Sequence, residues 1–267
     1  MKPKKTIVIY GVLLVIAVFL MVLLYNVSNR AEITLPRDFP EIIKSGKLNI
    51  VTDYNPVGYR VSGDSISGFQ YELIKALERD WKLKANIFLE NSLGENLQGL
   101  EQGKYDIVAR NIPVNTQLRQ QFGFTESINL NKQVLVQRKL APIRQHLDLA
   151  GKTIHVHRGS PVILRLQNLS REIGDTIFVV QNDVYETEQL VMMVAGGDID
   201  FTVCDEVVAK RLAEQMPEID VETDISFTQL ESWAVRKDSP VLLDSLNAWL
   251  SRFRNSKEFG KIYSKYY

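Results

Sequence analysis

The sequence has little of the side-chain chemistry that metal-dependent and disulfide-linked proteins use. Its 267 residues include one cysteine, Cys204, and three histidines. A lone cysteine cannot form a disulfide within the chain, so cysteine usage neither indicates nor excludes an oxidising compartment. His155 and His157 would share one face of a strand, but two ligands with no third nearby make a poor zinc site. We therefore expect no metal site and interpret both histidines as structural residues.

Common catalytic sequence patterns are missing as well. The chain has no G-x-S-x-G, H-E-x-x-H, Walker or dinucleotide-binding pattern. Their absence argues against α/β-hydrolase, zinc-protease and nucleotide-dependent chemistry. We therefore predict no catalytic residue and no cofactor.

The first 30 residues contain no acidic side chain. They hold Lys2, Lys4, Lys5 and Arg30, so the remaining residues carry 28 basic and 32 acidic side chains, although the whole chain has no net charge. A mildly acidic remainder argues against nucleic acid as the main partner. The composition is otherwise globular, with 45% hydrophobic and 24% charged residues.

An uncharged run of 20 residues at 6–25 follows the three lysines. As a helix it would be about 30 Å long, which matches the hydrocarbon core of a bilayer. The lysines before it place the N-terminus in the cytoplasm by the positive-inside rule. We predict that residues 1–30 form a cytoplasmic tip and a single-pass anchor in a bacterial cytoplasmic membrane. The rest of the chain would then lie in the periplasm or outside the cell.

A cleavable signal peptide is the alternative to an anchor. Signal h-regions are shorter, about 7–15 residues, and end at an A-x-A-like pattern. Residues 25–30 lack that pattern, which favours an uncleaved helix. Residues 31–45 contain Pro36 and Pro40, and we interpret them as a tether.

From residue 47 onward, strand and helix patterns alternate, which predicts an α/β protein with mostly parallel sheets. The predicted strands are 47–52, 84–89, 105–109, 133–137, 153–156, 177–180, 201–203 and 233–236. The predicted helices are 71–81, 97–102, 161–171, 185–195, 206–215 and 241–253, and residues 257–266 close the chain. Because the series runs twice, it indicates two lobes.

Several short phrases in this series match one family in their order and spacing. They include GFQYEL at 68–73, LEQGKYDI at 100–107, RGS at 158–160, GDID at 197–200 and CDE at 204–206. Over about 41–267 the chain resembles the bacterial extracellular solute-binding proteins of family 3. That family includes amino-acid-binding proteins of import systems and the front domain of the membrane-bound lytic transglycosylase F type.

The resemblance implies a periplasmic-binding-protein fold of type II. In that fold two α/β lobes are joined by two crossing strands, and the ligand lies between the lobes. Mapped on this chain, the first lobe is 41–134 plus 230–267, and the second lobe is 138–226. The hinges fall near 134–138 and 226–230, where bending closes the lobes around the ligand.

In the first lobe, the resemblance assigns ligand contacts to Tyr54, Arg110, Asn111 and Arg119. It implies that Tyr54 stacks on the ligand, with packing inside the lobe as an equal alternative. The loop after strand 105–109 usually offers small hydroxyl residues, but here it begins with Arg110 and Asn111. An arginine clamps the ligand carboxylate in amino-acid binders, and either Arg110 or Arg119 suits that role.

In the second lobe, the resemblance points to Ser160 and Asp205. Ser160 precedes a helix N-terminus, where it would contact an anionic group or cap the helix. Asp205 occupies the place of the family acid that receives a ligand ammonium group, with helix capping as the alternative. Together with an arginine it suits a zwitterion. Gln70 stands where the family often has aspartate, and we assign it no ligand role.

Three functions stay open at the level of sequence. The first is an anchored protein that binds a small polar solute for a permease. The second is an envelope regulator related to the transglycosylase F binding domain, and since the chain ends at Tyr267 we expect no transglycosylase catalytic domain. The third is a cleft enzyme of dehydratase type that uses Glu126, Asp205 or Glu206.

Overall fold

The computed structural model describes residues 13, 14, 16, 18–21 and 37–267. The described residues before position 22 are helical. Most of the predicted anchor at 6–25 and most of the tether before residue 37 lie outside the described residues, so the anchor stays a prediction. Within the described ranges no helix is long and apolar enough to cross a bilayer. By its internal contacts the chain divides into Met1–Leu35 and Pro36–Tyr267.

The helices of the second unit begin and end at residues that suit those positions. They are α1 (Phe39–Ser45), α2 (Phe69–Trp81), α3 (Leu93–Glu101), α4 (Thr116–Gln121), α5 (Val162–Ile173), α6 (Thr187–Gly196), α7 (Glu206–Ala213), α8 (Pro240–Arg254) and α9 (Lys257–Tyr266). In α1, Asp38 and Glu41 form a reciprocal capping box, and Gly46 ends the helix in the left-handed conformation. A 3-10 turn spans His146–Leu149.

The strands form two large sheets and a hairpin. The first sheet has the order β4 (Lys84–Leu89), β1 (Lys47–Thr52), β5 (Ile107–Pro113), β13 (Gln229–Arg236) and β6 (Phe122–Phe124), with β7 (Asn129–Asn131) also paired to β13. The second has the order β10 (Phe178–Asn182), β9 (Thr153–His157), β11 (Thr202–Asp205), β8 (Gln133–Arg138) and β12 (Ile219–Asp224). The hairpin joins β2 (Arg60–Ser62) to β3 (Ser65–Ser67). We call each large sheet with its helices a lobe.

Both large sheets are mixed, whereas the sequence predicted mostly parallel pairing. Strands β4 and β5 run parallel to β1, and β10 and β11 run parallel to β9. Strand β13 is antiparallel to β5, and β8 is antiparallel to β11. The antiparallel members enter their sheets directly from a crossover between the lobes, without the covering helix that parallel connections require.

The chain crosses between the sheets twice, and the two crossings are hydrogen-bonded to each other. The first crossing lies between Asn131 and Gln133, and the second lies between Asp224 and Gln229. The N–H of Ile225 donates to the Gln133 carbonyl at 2.7 Å, and the N–H of Gln133 donates to Ser226 Oγ at 2.9 Å. The predicted hinge range 134–138 falls within β8, and the range 226–230 begins in the second crossing.

Each sheet is covered on both faces, which explains the unbroken apolar runs in its central strands. On β1, Ile50 packs in a core with Phe69 and Trp233, whereas the next residue, Val51, packs in a separate cluster with Leu100. Successive side chains of a strand point to opposite faces, so one strand can serve two cores. Burial of each such side chain stabilises the fold by about 1.5–3 kcal/mol.

Candidate functional site

A polar cleft opens between the two lobes at the ends of β1, β9 and β11 and beside β5. Open α/β sheets place ligand sites beyond the carboxyl ends of their strands. The cleft holds about 850 Å³ of empty space, counting the part open to solvent. Its polar lining includes Asp53, Tyr54, Gln70, Asn91, Arg110, Asn111, Asn131, His157, Ser160, Glu186, Asp205 and Tyr267.

Arg110 lies in the middle of β5 and is 8% exposed. Its Nη1 donates to the Asn91 carbonyl at 2.9 Å, and its Nη2 lies 3.3 Å from Asp53 Oδ2. Asn55 donates to the same Asp53 oxygen at 3.0 Å. One hydrogen bond and one ion pair thus hold the guanidinium at the cleft wall, and other N–H donors of its five remain for a carboxylate.

Asp205 ends β11 and stands at the N-cap position of α7, but its side chain makes no capping hydrogen bond. The side chain lines the cleft instead. Burial raises its pKa to about 7, and the neighbouring Asp53 charge adds to the rise while Arg110 opposes it. The sequence left two roles open for Asp205, helix capping and acceptance of a ligand ammonium group. The geometry favours the second, because the side chain lines the cleft and does not cap α7.

Glu231 is a buried acid that the sequence patterns did not single out. It lies on β13 and is 3% exposed. Asn131 Nδ2 donates to its Oε1 at 3.3 Å, and Asn129 Nδ2 donates to its Oε2 at 3.4 Å. Burial, followed by the Asp205 charge, raises the pKa of Glu231 to about 9 against these two amide donors.

A chain of hydrogen bonds links the core of the first lobe to the cleft. Trp233 Nε1 donates to Gln70 Oε1 at 2.7 Å, and Gln70 Nε2 donates to Asn111 Oδ1 at 2.8 Å. Asn111 Nδ2 then donates to the Tyr267 hydroxyl at 3.1 Å. Burial raises the pKa of Tyr267 above its usual value, so the hydroxyl stays neutral. Asn111 therefore lines the cleft with its amide orientation already fixed.

The two tyrosines after β1 have different positions. Tyr54 lines the cleft with 40% of its surface exposed, and its N–H donates to Asn91 Oδ1 at 2.8 Å. Tyr59 is 7% exposed and packs edge-to-face on Tyr71, with ring centroids 5.6 Å apart. Tyr54 is therefore available to a ligand, whereas Tyr59 is a packing residue.

Ser160 and Arg119 also differ. Ser160 lines the cleft, and its Oγ accepts from the N–H of Val162 at 3.3 Å, at the start of α5. The N-cap position of α5 is held by Pro161, so Ser160 lies one residue before the cap, and its contact with a ligand stays a prediction. Arg119 lies exposed on α4 and is not part of the cleft lining. Between the two arginines, the structure places only Arg110 at the cleft.

The second lobe contributes a histidine and an acid to the cleft. His157 ends β9, and its Nδ1 lies 3.4 Å from Glu186 Oε2. Both side chains line the cleft. Among the described residues, no group of three or more His, Cys, Asp or Glu side chains is arranged to hold a metal ion.

Of the three acids considered for a dehydratase-type reaction, the cleft lining includes only Asp205. Glu126 is exposed outside the cleft. Glu206 pairs with Lys210 at 2.7 Å and lies 3.7 Å from Lys132. Two acids with a raised pKa are Asp205, which lines the cleft, and Glu231, which is buried on β13 and is not part of the cleft lining.

Sequence comparison identifies one family and a set of curated relatives. The family described as bacterial extracellular solute-binding proteins, family 3, matches residues 47–267. Membrane-bound lytic murein transglycosylase F of Desulfosudis oleivorans is 27% identical over 230 residues, or 85% of this chain and 50% of that protein. Its counterpart from Aeromonas salmonicida is 29% identical over 231 residues, or 85% of this chain and 46% of that protein. The chain thus spans about half the length of these relatives.

Solved structures share the fold at low sequence identity. An ancestral arginine-binding protein bound to arginine superposes with a TM-score of 0.75 at 23% identity, covering 83% of this chain and 98% of the other. The ancestral amino-acid-binding protein AncCDT-1, described as a precursor of cyclohexadienyl dehydratase, gives 0.74 at 21% identity, covering 85% and 98%. At this identity the likeness establishes the α/β periplasmic-binding-protein fold.

Proposed function

The chain belongs to the bacterial extracellular solute-binding proteins of family 3, and we propose that it captures an amino acid or a related zwitterion in its cleft. The observation that carries this proposal is the placement of Arg110 and Asp205 on the same cleft from different lobes. Arg110 would bind the ligand carboxylate, and Asp205 would accept from its ammonium group. Tyr54 would cover the ligand from the first lobe, and Ser160 would contact it from the second.

Closure of the two lobes would hold the ligand. The lobes are joined by two short crossings that are hydrogen-bonded to each other, an arrangement that supports bending at one place. A ligand that contacts both lobes binds the closed arrangement more tightly than the open one, and it stabilises the closed arrangement by that difference in affinity. This accounts for binding without any chemical step, and we propose that the protein is not an enzyme.

We also propose that the binding module works while tied to the outer face of a bacterial cytoplasmic membrane. The support is the uncharged run at 6–25 after three lysines. Protease added to spheroplasts should then degrade the module and leave the first residues protected. A mature protein that begins after Asn29 and washes off the membrane would contradict the anchor.

Two roles fit an anchored binding protein, and they differ in the partner. One is delivery of the solute to a permease. The other is regulation in the cell envelope, which is favoured by the likeness to membrane-bound lytic transglycosylases. Co-purification of the full chain in mild detergent separates the two roles, because a permease partner supports import and a wall-associated partner supports regulation.

The binding proposal is tested by a thermal-shift screen of the full chain in detergent against amino acids, short peptides and cell-wall peptides. A ligand that binds only the folded state raises the melting temperature, by an amount that grows with its concentration. Failure of every zwitterion to shift melting would contradict the proposal. Chemical conversion of a bound compound by the purified protein would favour the dehydratase-type reading instead.

A further inference from the structure

Four side chains of the first lobe form the hydrogen-bonded chain from the core to the cleft, which we call the Trp233 relay. Its members are Trp233, Gln70, Asn111 and Tyr267. They come from β13, α2, β5 and the residue after α9. Trp233 is fully buried and Gln70 is 2% exposed, whereas Asn111 and Tyr267 are half-buried and line the cleft. The relay therefore begins in the core and ends at the candidate ligand site.

The direction of each hydrogen bond in the relay is set at its buried end. An indole N–H donates and cannot accept, so the Gln70 atom that faces Trp233 Nε1 at 2.7 Å has to be the amide oxygen. The Gln70 nitrogen then faces Asn111, whose Oδ1 accepts at 2.8 Å. This leaves Asn111 Nδ2 to donate to the Tyr267 hydroxyl at 3.1 Å. Neither amide can turn over without placing two N–H donors against each other.

The relay leaves the proton of the Tyr267 hydroxyl without an acceptor. The hydroxyl oxygen accepts from Asn111, and among residues 37–267 no other hydrogen bond to this hydroxyl is formed. Burial raises the pKa of Tyr267, so the hydroxyl keeps its proton at neutral pH. A donor that loses water on lobe closure and finds no acceptor is unfavourable. This side of the cleft therefore requires an acceptor from the ligand.

The Tyr267 hydroxyl lies on the other side of the first sheet from the Arg110 guanidinium. Arg110 and Asn111 are consecutive on β5, so their side chains point to opposite faces. Arg110 contacts the Asn91 carbonyl on one face, and Asn111 contacts Gln70 on the other. Both faces reach the cleft, because both side chains line it. The Tyr267 donor is therefore separate from the group that would hold the α-carboxylate.

We propose that the Tyr267 hydroxyl donates to a second acceptor of the ligand, a carbonyl or similar oxygen other than the carboxylate bound by Arg110, and that the Trp233 relay keeps this hydroxyl a donor. Tyr267 is then a specificity-determining residue. Trp233 and Gln70 are positioning residues, which act on the ligand only through Asn111 and Tyr267. The proposal rests on the proposed function and adds the hydrogen-bonding polarity that the ligand has to match.

Uncharged amino acids that differ by one acceptor oxygen test this donor. L-methionine sulfoxide adds one oxygen to the sulfur of L-methionine, and its two epimers direct that oxygen differently. The γ-keto derivative of L-norvaline has a carbonyl in place of a methylene group, closer to the α-carbon. None of these side chains has an N–H or O–H group. A preference for an oxygenated compound over its parent therefore reports a donor of the protein.

Tyr267→Phe removes the hydroxyl and keeps the ring. Isothermal titration of the full chain in detergent should show that the wild type binds at least one oxygenated compound about 3- to 10-fold more tightly than its parent, as expected for one hydrogen bond between neutral groups. In Tyr267→Phe this ratio should fall to about one, while the affinity for the parent compound is retained.

Tyr263→Phe is the matched control. The Tyr263 ring stacks on that of Tyr267 with centroids 5.1 Å apart, and its hydroxyl donates to Asn129 Oδ1 at 3.2 Å. Neither Tyr263 nor Asn129 is part of the described lining of the cleft. The variant loses a hydroxyl from the same aromatic cluster, and it should keep the wild-type ratio.

Asn111→Asp tests the relay itself, because Tyr267 stays in place. The carboxylate introduced at position 111 has acceptor oxygens and no donor. It accepts from Gln70 and from the Tyr267 hydroxyl, so the hydroxyl proton is no longer free for a ligand. The ratio of affinities should fall to about one. A merely structural role of Asn111 would weaken both members of each pair and leave the ratio unchanged.

The outcomes separate this inference from the proposed function. Equal affinities within every pair, or a preference that survives Tyr267→Phe, would overturn the Tyr267 donor while amino-acid binding stands. Binding of other zwitterions but of none of these compounds would overturn it as well. A preference that is lost in Tyr267→Phe but survives Asn111→Asp would overturn the relay as the cause of the donor direction. If no zwitterion binds, both proposals fail.

Discussion

At the scale of single residues, burial distinguishes the two arginines that the sequence offered for binding a ligand carboxylate, Arg110 and Arg119. Arg110 is held in the cleft wall by Asp53 and the Asn91 carbonyl, whereas Arg119 lies exposed on α4. Arg110→Lys keeps the positive charge but loses the planar fork that suits a carboxylate. We expect it to weaken amino-acid binding by about 10- to 100-fold, the equivalent of one or two charge-assisted hydrogen bonds.

The matched control is Arg119→Lys, which should leave the affinity within about twofold because surface substitutions have small effects. Titration calorimetry with the same ligand measures both variants. A larger loss from Arg119→Lys than from Arg110→Lys would show that the carboxylate is bound by the other arginine, and the assignment of Arg110 would be wrong.

Glu231 gives a second residue-scale prediction, which concerns the ligand-free protein. Its folded-state pKa of about 9 lies above the ordinary value of 4.5. Between pH 4.5 and 9 the Glu231 carboxyl is ionised in the unfolded chain but still protonated in the folded chain. The folded state therefore binds one proton more than the unfolded state over this range. The contribution of Glu231 to stability therefore falls as pH rises from about 4.5 to 9 and then levels off.

Glu231→Gln should abolish this contribution, so the variant should melt at a higher temperature relative to the wild type at pH 8.5 than at pH 5. Thermal melts of both proteins without ligand, across that range, measure the difference. Glu126→Gln serves as the control and should follow the wild type. Parallel curves for wild type and Glu231→Gln would mean that Glu231 does not keep its proton in the fold.

The reason that Glu231 could not be predicted from sequence is its separation from its partners. About 100 positions lie between it and Asn131, and the contact exists only because β7 and β13 pair in the first sheet. Asp205 was predictable because a short local phrase surrounds it. That the Asp205 side chain does not cap α7 was not predictable, since the sequence alone does not say how a side chain at an N-cap position is oriented.

At the scale of elements, one aspartate fixes the starts of two helices. Asp38 accepts from the N–H of Phe39 at the start of α1, and from those of Val241 and Leu242 in the first turn of α8. Removal of an N-cap costs about 1 kcal/mol. Asp38→Ala should therefore destabilise the second unit by about 2 kcal/mol, which lowers Tm by roughly 4–8 °C.

Asp244→Ala is the control, because Asp244 is exposed within α8 and should change Tm by less than about 2 °C. Melting followed by circular dichroism compares the two variants. If Asp38→Ala has the same Tm as the wild type, water satisfies the N–H groups at these helix starts as well as the Asp38 side chain does.

Elements with a clear apolar period were predicted with close bounds, and short exposed ones were not. Strands β1 and β4 have the predicted bounds. The β2–β3 hairpin has no buried residue in either strand. Its sequence therefore has no alternation of buried apolar and exposed polar residues from which a strand could be predicted. Strand β7 has only three residues, and its place depends on pairing with β13.

At the scale of the whole molecule, the two lobes touch in the structure at the mouth of the cleft. Gly159 of the second lobe has φ of 73°, and a Cβ built on it would lie 2.5 Å from Ser92 Oγ of the first lobe. Ser92 cannot move freely, since the same Oγ accepts from Glu95 N–H at the start of α3. A side chain at position 159 would therefore oppose this closed contact.

Gly159→Ala should weaken ligand binding, because the closed arrangement that the ligand stabilises would have to displace Ser92. Gly174→Ala is a matched control: Gly174 has φ of 71°, but nothing lies within 4 Å of its added Cβ. Both substitutions force alanine into the left-handed region at a cost of about 1–2 kcal/mol, so their Tm losses should be similar. Their ligand affinities should differ, because only Gly159→Ala should lose at least about tenfold in affinity. Small-angle scattering should show that ligand compacts the Gly174→Ala protein more than the Gly159→Ala protein. Equal affinities in the two variants would mean that ligand binding does not require the lobes to meet at Ser92.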